Sequence, residues 1–143
     1  MKNIILITVA LLLSFALFAQ TDKSLQPQEK DGILYVREEE KMARDIYDSL
    51  YVKWGGNPFG NIRSSEQTHI DRIKLLITDY QLEDPVSKTN DRHGAYVSKA
   101  IQQYYNVLIN TGSASYADAM KTGAKVEELD ITDLEARIKQ TEK

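Results

Sequence analysis

Apolar side chains in this chain recur at helical rather than strand spacing. Ile33, Val36, Glu40, Ala43, Tyr47, Leu50 and Trp54 follow one another at intervals of three and four, the separation that stacks side chains on one face of an α-helix. The series predicts a helix over residues 33–54, roughly 30 Å long at 1.5 Å per residue, stopped by Gly55-Gly56-Asn57-Pro58. Asn61 suits the N-cap of a second helix reaching residue 80, whose stripe is Ile62, Glu66, His69, Ile73, Leu76 and Tyr80. So short a link makes the two helices antiparallel neighbours. Residues 81–94 hold Pro85, Asn90, Asp91 and Gly94 with no apolar period, and read as a long surface connection. A shorter helix is expected over 95–110. A last one is expected over 116–139, capped by Ser113 or Ser115, with Met120, Ala124, Glu127, Ile131, Leu134 and Ile138 facing inward. Period-two alternation is absent after residue 19, so the expected fold class is all-α: a bundle of three long helices and one short one.

Each long stripe carries a glutamate where an apolar residue belongs: Glu40, Glu66 and Glu127. A buried, unpaired carboxylate costs several kcal/mol, and a metal ion is a compensation that also employs an imidazole. Glu66-x-x-His69 fits that need, because residues i and i+3 share one helix face. The chain has no cysteine and only two histidines, so oxygen ligands must dominate any metal site. Carboxylates with one imidazole on the inner faces of a bundle suit iron, with manganese or zinc as alternatives.

Several neighbours have simpler readings. Glu38 is read as a solvated helix-surface charge, whereas Glu39 aligns with Tyr35, Met42 and Ile46 and is ambiguous. Glu128 lies off the last stripe, and Asp130 either assists the site or bonds to Arg44. His93 reads as a loop residue without a role, and the eight tyrosines, Tyr47 included, read as packing.

The N-terminus changes the picture of where the protein works. Met1-Lys2-Asn3 precedes an almost wholly apolar run over residues 4–19 that ends at Ala19, the pattern of a secretory signal peptide cleaved there. Residues 20–32 then read as a flexible leader and 33–143 as the folded domain. The expected protein is secreted or periplasmic, with no stable membrane association after cleavage. Loss of Lys2 leaves 17 basic side chains against 21 acidic ones, and no basic stripe points to nucleic acid.

Glu40-x-x-Ala43-Arg44-x-x-Tyr47 followed by Ser65-Glu66-x-x-His69 resembles the first helix pair of rubrerythrin-type ferritin-like proteins. More closely, Tyr35-Val36-Arg37-Glu38-Glu39-Glu40-Lys41-Met42-Ala43-Arg44-Asp45, Trp54-Gly55, Asn61-Ile62, Ser65-Glu66-Gln67-x-His69 and Gly123-Ala124-x-Val126-Glu127-Glu128-x-Asp130-Ile131-x-Asp133-Leu134 resemble the family known as domain of unknown function 2202. The resemblance covers about residues 33–137. It implies a ferritin-like bundle and Glu40, Glu66, His69 and Glu127 as metal ligands; the family has no settled activity. It also implies a fourth core helix bearing another histidine, whereas this chain ends 16 residues after Glu127 with no histidine beyond His93. The expectation is therefore an incomplete bundle, without the full ligand set of a dinuclear centre in one chain, whose apolar seam is covered by a second copy or another chain. Two functions remain open: a metal-binding protein linked to redox or oxidative-stress chemistry, and a non-enzymatic helical interaction module or truncated, inactive product.

Overall fold

The computed structural model describes residues 24–141, which form five helices and no strand: α1 (Pro27–Trp54), α2 (Asn57–Asp79), α3 (Pro85–Lys88), α4 (Lys99–Gly112) and α5 (Tyr116–Thr141). The segment expected to be a signal peptide and the start of the expected leader lie outside the described residues. Three helices are long and α4 is shorter, as the periodicity predicts; the four-residue α3 falls inside the stretch expected to be loop.

The boundaries differ from expectation where proline starts a helix. α1 begins six residues early, at Pro27, so residues 27–32 are helical rather than leader. Gln26 and Glu29 form a capping box there, and a proline in the first turn loses no hydrogen bond because that N–H has no helical partner. Asn57-Pro58 likewise opens α2 instead of ending the turn. Only Gly55 and Gly56 link α1 to α2, at φ values of 65° and 92° that side-chain-bearing residues rarely adopt. α4 starts four residues later than expected, capped by Ser98.

α1 is the central helix, packed against α2, α3, α4 and α5. Its Met42, Ala43, Ile46, Tyr47 and Leu50 meet Phe59 of α2, Ile101 and Leu108 of α4, and Ala119 and Val126 of α5 in one core. No helix among the described residues is long and apolar enough to cross a membrane.

A helix with neighbours on most sides must bury some of its charges, and α1 buries five between residues 37 and 45: Arg37, Glu38, Glu39, Lys41 and Asp45. Glu38 is therefore not the solvated surface charge expected. Its carboxylate accepts the backbone N–H groups of Val97 and Ser98, where it fixes the entry to α4. Arg37 donates to both carboxylate oxygens of Asp84 at 3.1 and 2.9 Å and to the Ile70 carbonyl. Lys41 donates to Asp45 at 2.6 Å and to the Arg92 carbonyl at 2.9 Å. Asp45 also accepts from the Gly94 N–H, the Tyr96 hydroxyl and Arg44. Burial pushes the Asp45 pKa up, but Lys41, the Gly94 N–H and Arg44 outweigh it and hold the group below the usual carboxylate range. Residues 80–98 are thus fastened to α1 by charge-assisted bonds in addition to the packing of Tyr96 in the core.

Asp45→Asn leaves Lys41 buried without a counter-charge, so denaturant unfolding should show a loss of about 3–5 kcal/mol. A loss below about 1 kcal/mol would mean that the pair is solvated.

Candidate metal site

The two-residue turn between α1 and α2 brings Glu40 to the same depth as Glu66 and His69. His69 Nδ1 lies 3.1 Å from Glu40 Oε2 and 3.1 Å from Glu66 Oε2. One ligand atom from each of the three residues falls within 4.8 Å of the other two. Glu66 is buried, Glu40 is partly covered, and the His69 side chain is 44% exposed, so the group is reached from the imidazole side.

Glu127 of α5 lines the same cavity of about 200 Å³ but stands outside this close triad. Its Oε1 accepts the Tyr47 hydroxyl at 2.6 Å. Two further acids share the cavity, Glu39 and Asp130, and Asp133 stands beside them, accepting the Tyr35 hydroxyl at 2.9 Å. Asp130 does not bond to Arg44, whose guanidinium is taken by Asp45, Gln67 and Asp91. Its Oδ1 is instead buried with no hydrogen-bond partner. The spacing Glu127-x-x-Asp130 repeats that of Glu66-x-x-His69 and was the available signal for this residue. Tyr47 is more than packing, and no spacing rule could have shown its bond across to α5. His93 is an exposed loop residue away from the cavity, beside Ser49 and Tyr105.

The electrostatics of the cavity are one-sided. Burial, the hydrogen bond shared with Glu40, and the charges of Glu40, Glu127 and Asp130 push Glu66 up to about 9. Burial together with Glu40, Glu127 and Asp133 pushes Asp130 up to about 8. Burial, Asp130 and Asp133 push Glu39 up to about 9, against the opposing charge of Arg137. Burial and then Glu127 also raise the Tyr47 hydroxyl, which stays protonated. Oxygen donors in excess, one imidazole nitrogen and an orphaned buried carboxylate oxygen fit a divalent cation such as iron or manganese.

The stability of the metal-free protein follows from these shifts. An acid whose folded pKa lies above its unfolded value of about 4.3 keeps protons that the unfolded chain gives up, so stability falls as pH rises between the two values. Asp45 and Asp84, held low by their cationic partners, act oppositely and lose their contribution only as pH falls through the low folded pKa. Chelated protein should melt at a lower temperature at pH 8 than at pH 5.5, and added Mn²⁺ should reverse that order. Thermal melts with equal midpoints at both pH values would contradict the crowding of acids described here.

A family model described as "Uncharacterized protein domain (DUF2202)" matches residues 29–143. The uncharacterised protein MJ0754 of Methanocaldococcus jannaschii is 44% identical over 118 residues, which are 82% of this chain and 63% of that protein. The chain therefore spans less than two thirds of that relative's length. The crystal structure of the hypothetical protein MJ0754 superposes with a TM-score of 0.81 at 42% identity, covering 87% of this chain and 70% of that one. With a family match over nearly the whole described region and a relative of the same helical fold, the chain belongs to the DUF2202 family.

Proposed function

We propose that this protein binds iron, or a similar divalent cation such as manganese or zinc, through Glu40, Glu66, His69 and Glu127. The observation that carries the reading is the meeting of His69 Nδ1 with two carboxylates, each 3.1 Å away, in a cavity whose other polar groups are mostly acids. Nothing cationic within the triad offsets Glu40 and Glu66 except a protonated His69, so a bound cation removes the repulsion that the metal-free fold bears. Such an ion supplies Lewis-acid or one-electron chemistry when bound. The chain's own residues would hold it, and the half-exposed His69 edge would admit a small molecule to it. The ferritin-like resemblance favours a redox or oxidative-stress role, and the apolar N-terminal run favours export to the periplasm or the exterior.

A second reading, association, rests on α5. The face expected to be inward is largely exposed: Met120, Ile131, Leu134 and Ile138 are 42, 60, 49 and 47% accessible. The buried face is instead Ala119, Thr122, Gly123 and Val126. Leu134 and Ile138 border an apolar groove of about 420 Å³, closed on the other side by Ile33, Val36, Ile73 and Leu76. The groove shares Val36 and Leu134 with the acidic cavity. A second copy seated there through the same 3–4-spaced stripe would cover both. Light scattering should give a dimer mass, and Leu134→Asp should shift it to the monomer; a wild-type monomer at high concentration would exclude this mode.

Metal binding is tested by paired melts. Binding to the folded state alone adds RT ln(1 + [L]/Kd), about 2.7 kcal/mol at a hundredfold excess over Kd. Glu66→Gln should stabilise the chelated protein, since it removes an acid that must hold a proton to stay buried beside Glu40, yet abolish most of the rise in melting temperature caused by Fe²⁺ or Mn²⁺. Wild-type protein that binds less than one ion per chain by elemental analysis and shows no such rise would sink the reading.

A further inference from the structure

We infer that Tyr47 is a positioning residue for the proposed site: its hydroxyl holds one oxygen of Glu127, so that this carboxylate would meet a cation chiefly through its other oxygen. The inference rests on the metal-binding reading above and adds the control of one ligand's geometry.

Tyr47 lies two turns beyond Glu40 on α1, its ring buried and its centroid 6.4 Å from that of Phe59. The ring reaches α5 because residue 123 is glycine. A Cβ there would stand 3.2 Å from Tyr47 Cε1 and 3.3 Å from its hydroxyl oxygen, tight enough to displace the ring by a few tenths of an ångström. Through this slot the hydroxyl comes 2.6 Å from Glu127 Oε1 and 3.0 Å from the Gly123 carbonyl oxygen. A phenol has one proton to give. The carbonyl already has a helical N–H donor four residues on, whereas the carboxylate is nearer and, when ionised, the stronger acceptor.

The consequence is geometric. Glu40, Glu66 and His69 converge without Glu127, which lines the same cavity while tethered to Tyr47. With one lone pair of Oε1 taken by the hydroxyl, Oε2 is the better donor of Glu127, and single-oxygen ligation is favoured over a two-oxygen grip. Without the hydroxyl, both oxygens would be equally free for a cation. Hydrogen-bonding partners of metal ligands act in this way, and their loss typically changes metal affinity about 10- to 100-fold.

The test uses Co²⁺ as the probe, with titration and visible absorption of the full chain. The variants are Tyr47→Phe, which removes the hydroxyl, and Gly123→Ala, which keeps it but displaces the ring. Each is made alone and combined with Glu127→Gln. The expected result is an altered Co²⁺ band shape and intensity and about a 10-fold change in affinity for Tyr47→Phe. A smaller change of the same kind is expected for Gly123→Ala, with neither change in the Glu127→Gln background. If the wild type binds Co²⁺ and both single variants match it in spectrum and affinity, Tyr47 does not position Glu127, and the metal reading stands. A change that persists with Glu127→Gln also overturns the inference, because the tyrosine would then act through packing. Wild-type protein that takes up no Co²⁺ overturns the metal reading and this inference together.

Discussion

Enclosure of α1 is the constraint on which the rest depends. Four other helices touch it, so charged residues between 37 and 45 have no solvent face to which they can retreat. A charge removed from water persists only where a partner replaces its hydration. On one side of α1 that replacement is complete: Arg37 meets Asp84, Lys41 meets Asp45, and Glu38 meets two backbone N–H groups. Towards α2 and α5 it is not. There Glu39 and Glu40 face Glu66, Glu127, Asp130 and Asp133, with only Arg137 and a half-exposed imidazole to oppose them. The same helix thus carries a neutralised half and an uncompensated half, and the uncompensated half opens on a cavity.

That asymmetry divides labour between stability and chemistry. The neutralised side anchors the long connection between α2 and α4 and so sets where α4 and α5 can stand. The uncompensated side costs stability that the core and the ion pairs must supply, which is the usual balance at functional sites. Close approach of α1 to α5 centres on Ala119, Gly123 and Val126, with Leu129 packed at the edge of the core.

The three long helices and the shorter α4 were legible because amphipathic period is strong evidence over such lengths, whereas the four-residue α3 is too short to show a period. Glu40, Glu66 and His69 were legible as polar residues in apolar stripes. The errors have physical causes. Glu38 was misread because a run of charges ordinarily lies in water, and nothing local marks Val97 and Ser98 as its partners, some 60 residues away. The buried face of α5 was misassigned because a hydrophobic stripe favours large side chains, whereas the contact with α1 uses small ones beside it. Pro58 reads as part of a stop, and Pro27 falls in the stretch read as leader, although each sits in a first turn, the place where a helix tolerates proline. Asp130 was open to reading through its spacing from Glu127, whereas Tyr47 acquires its role only when α5 crosses α1, a long-range event that local sequence does not encode.

The glycine pair at residues 55 and 56 has a consequence beyond joining two helices. Three of the proposed ligands lie on the two arms of one hairpin, at similar distances from its bend. The length of that bend is the gear that sets their phase. One residue added inside the first turn of α2 would turn Glu66 and His69 by about 100° relative to that bend and carry them away from Glu40, with every ligand still present in the sequence. In such a hairpin the turn is part of the coordination chemistry, and its two glycines are as much components of the site as the carboxylates.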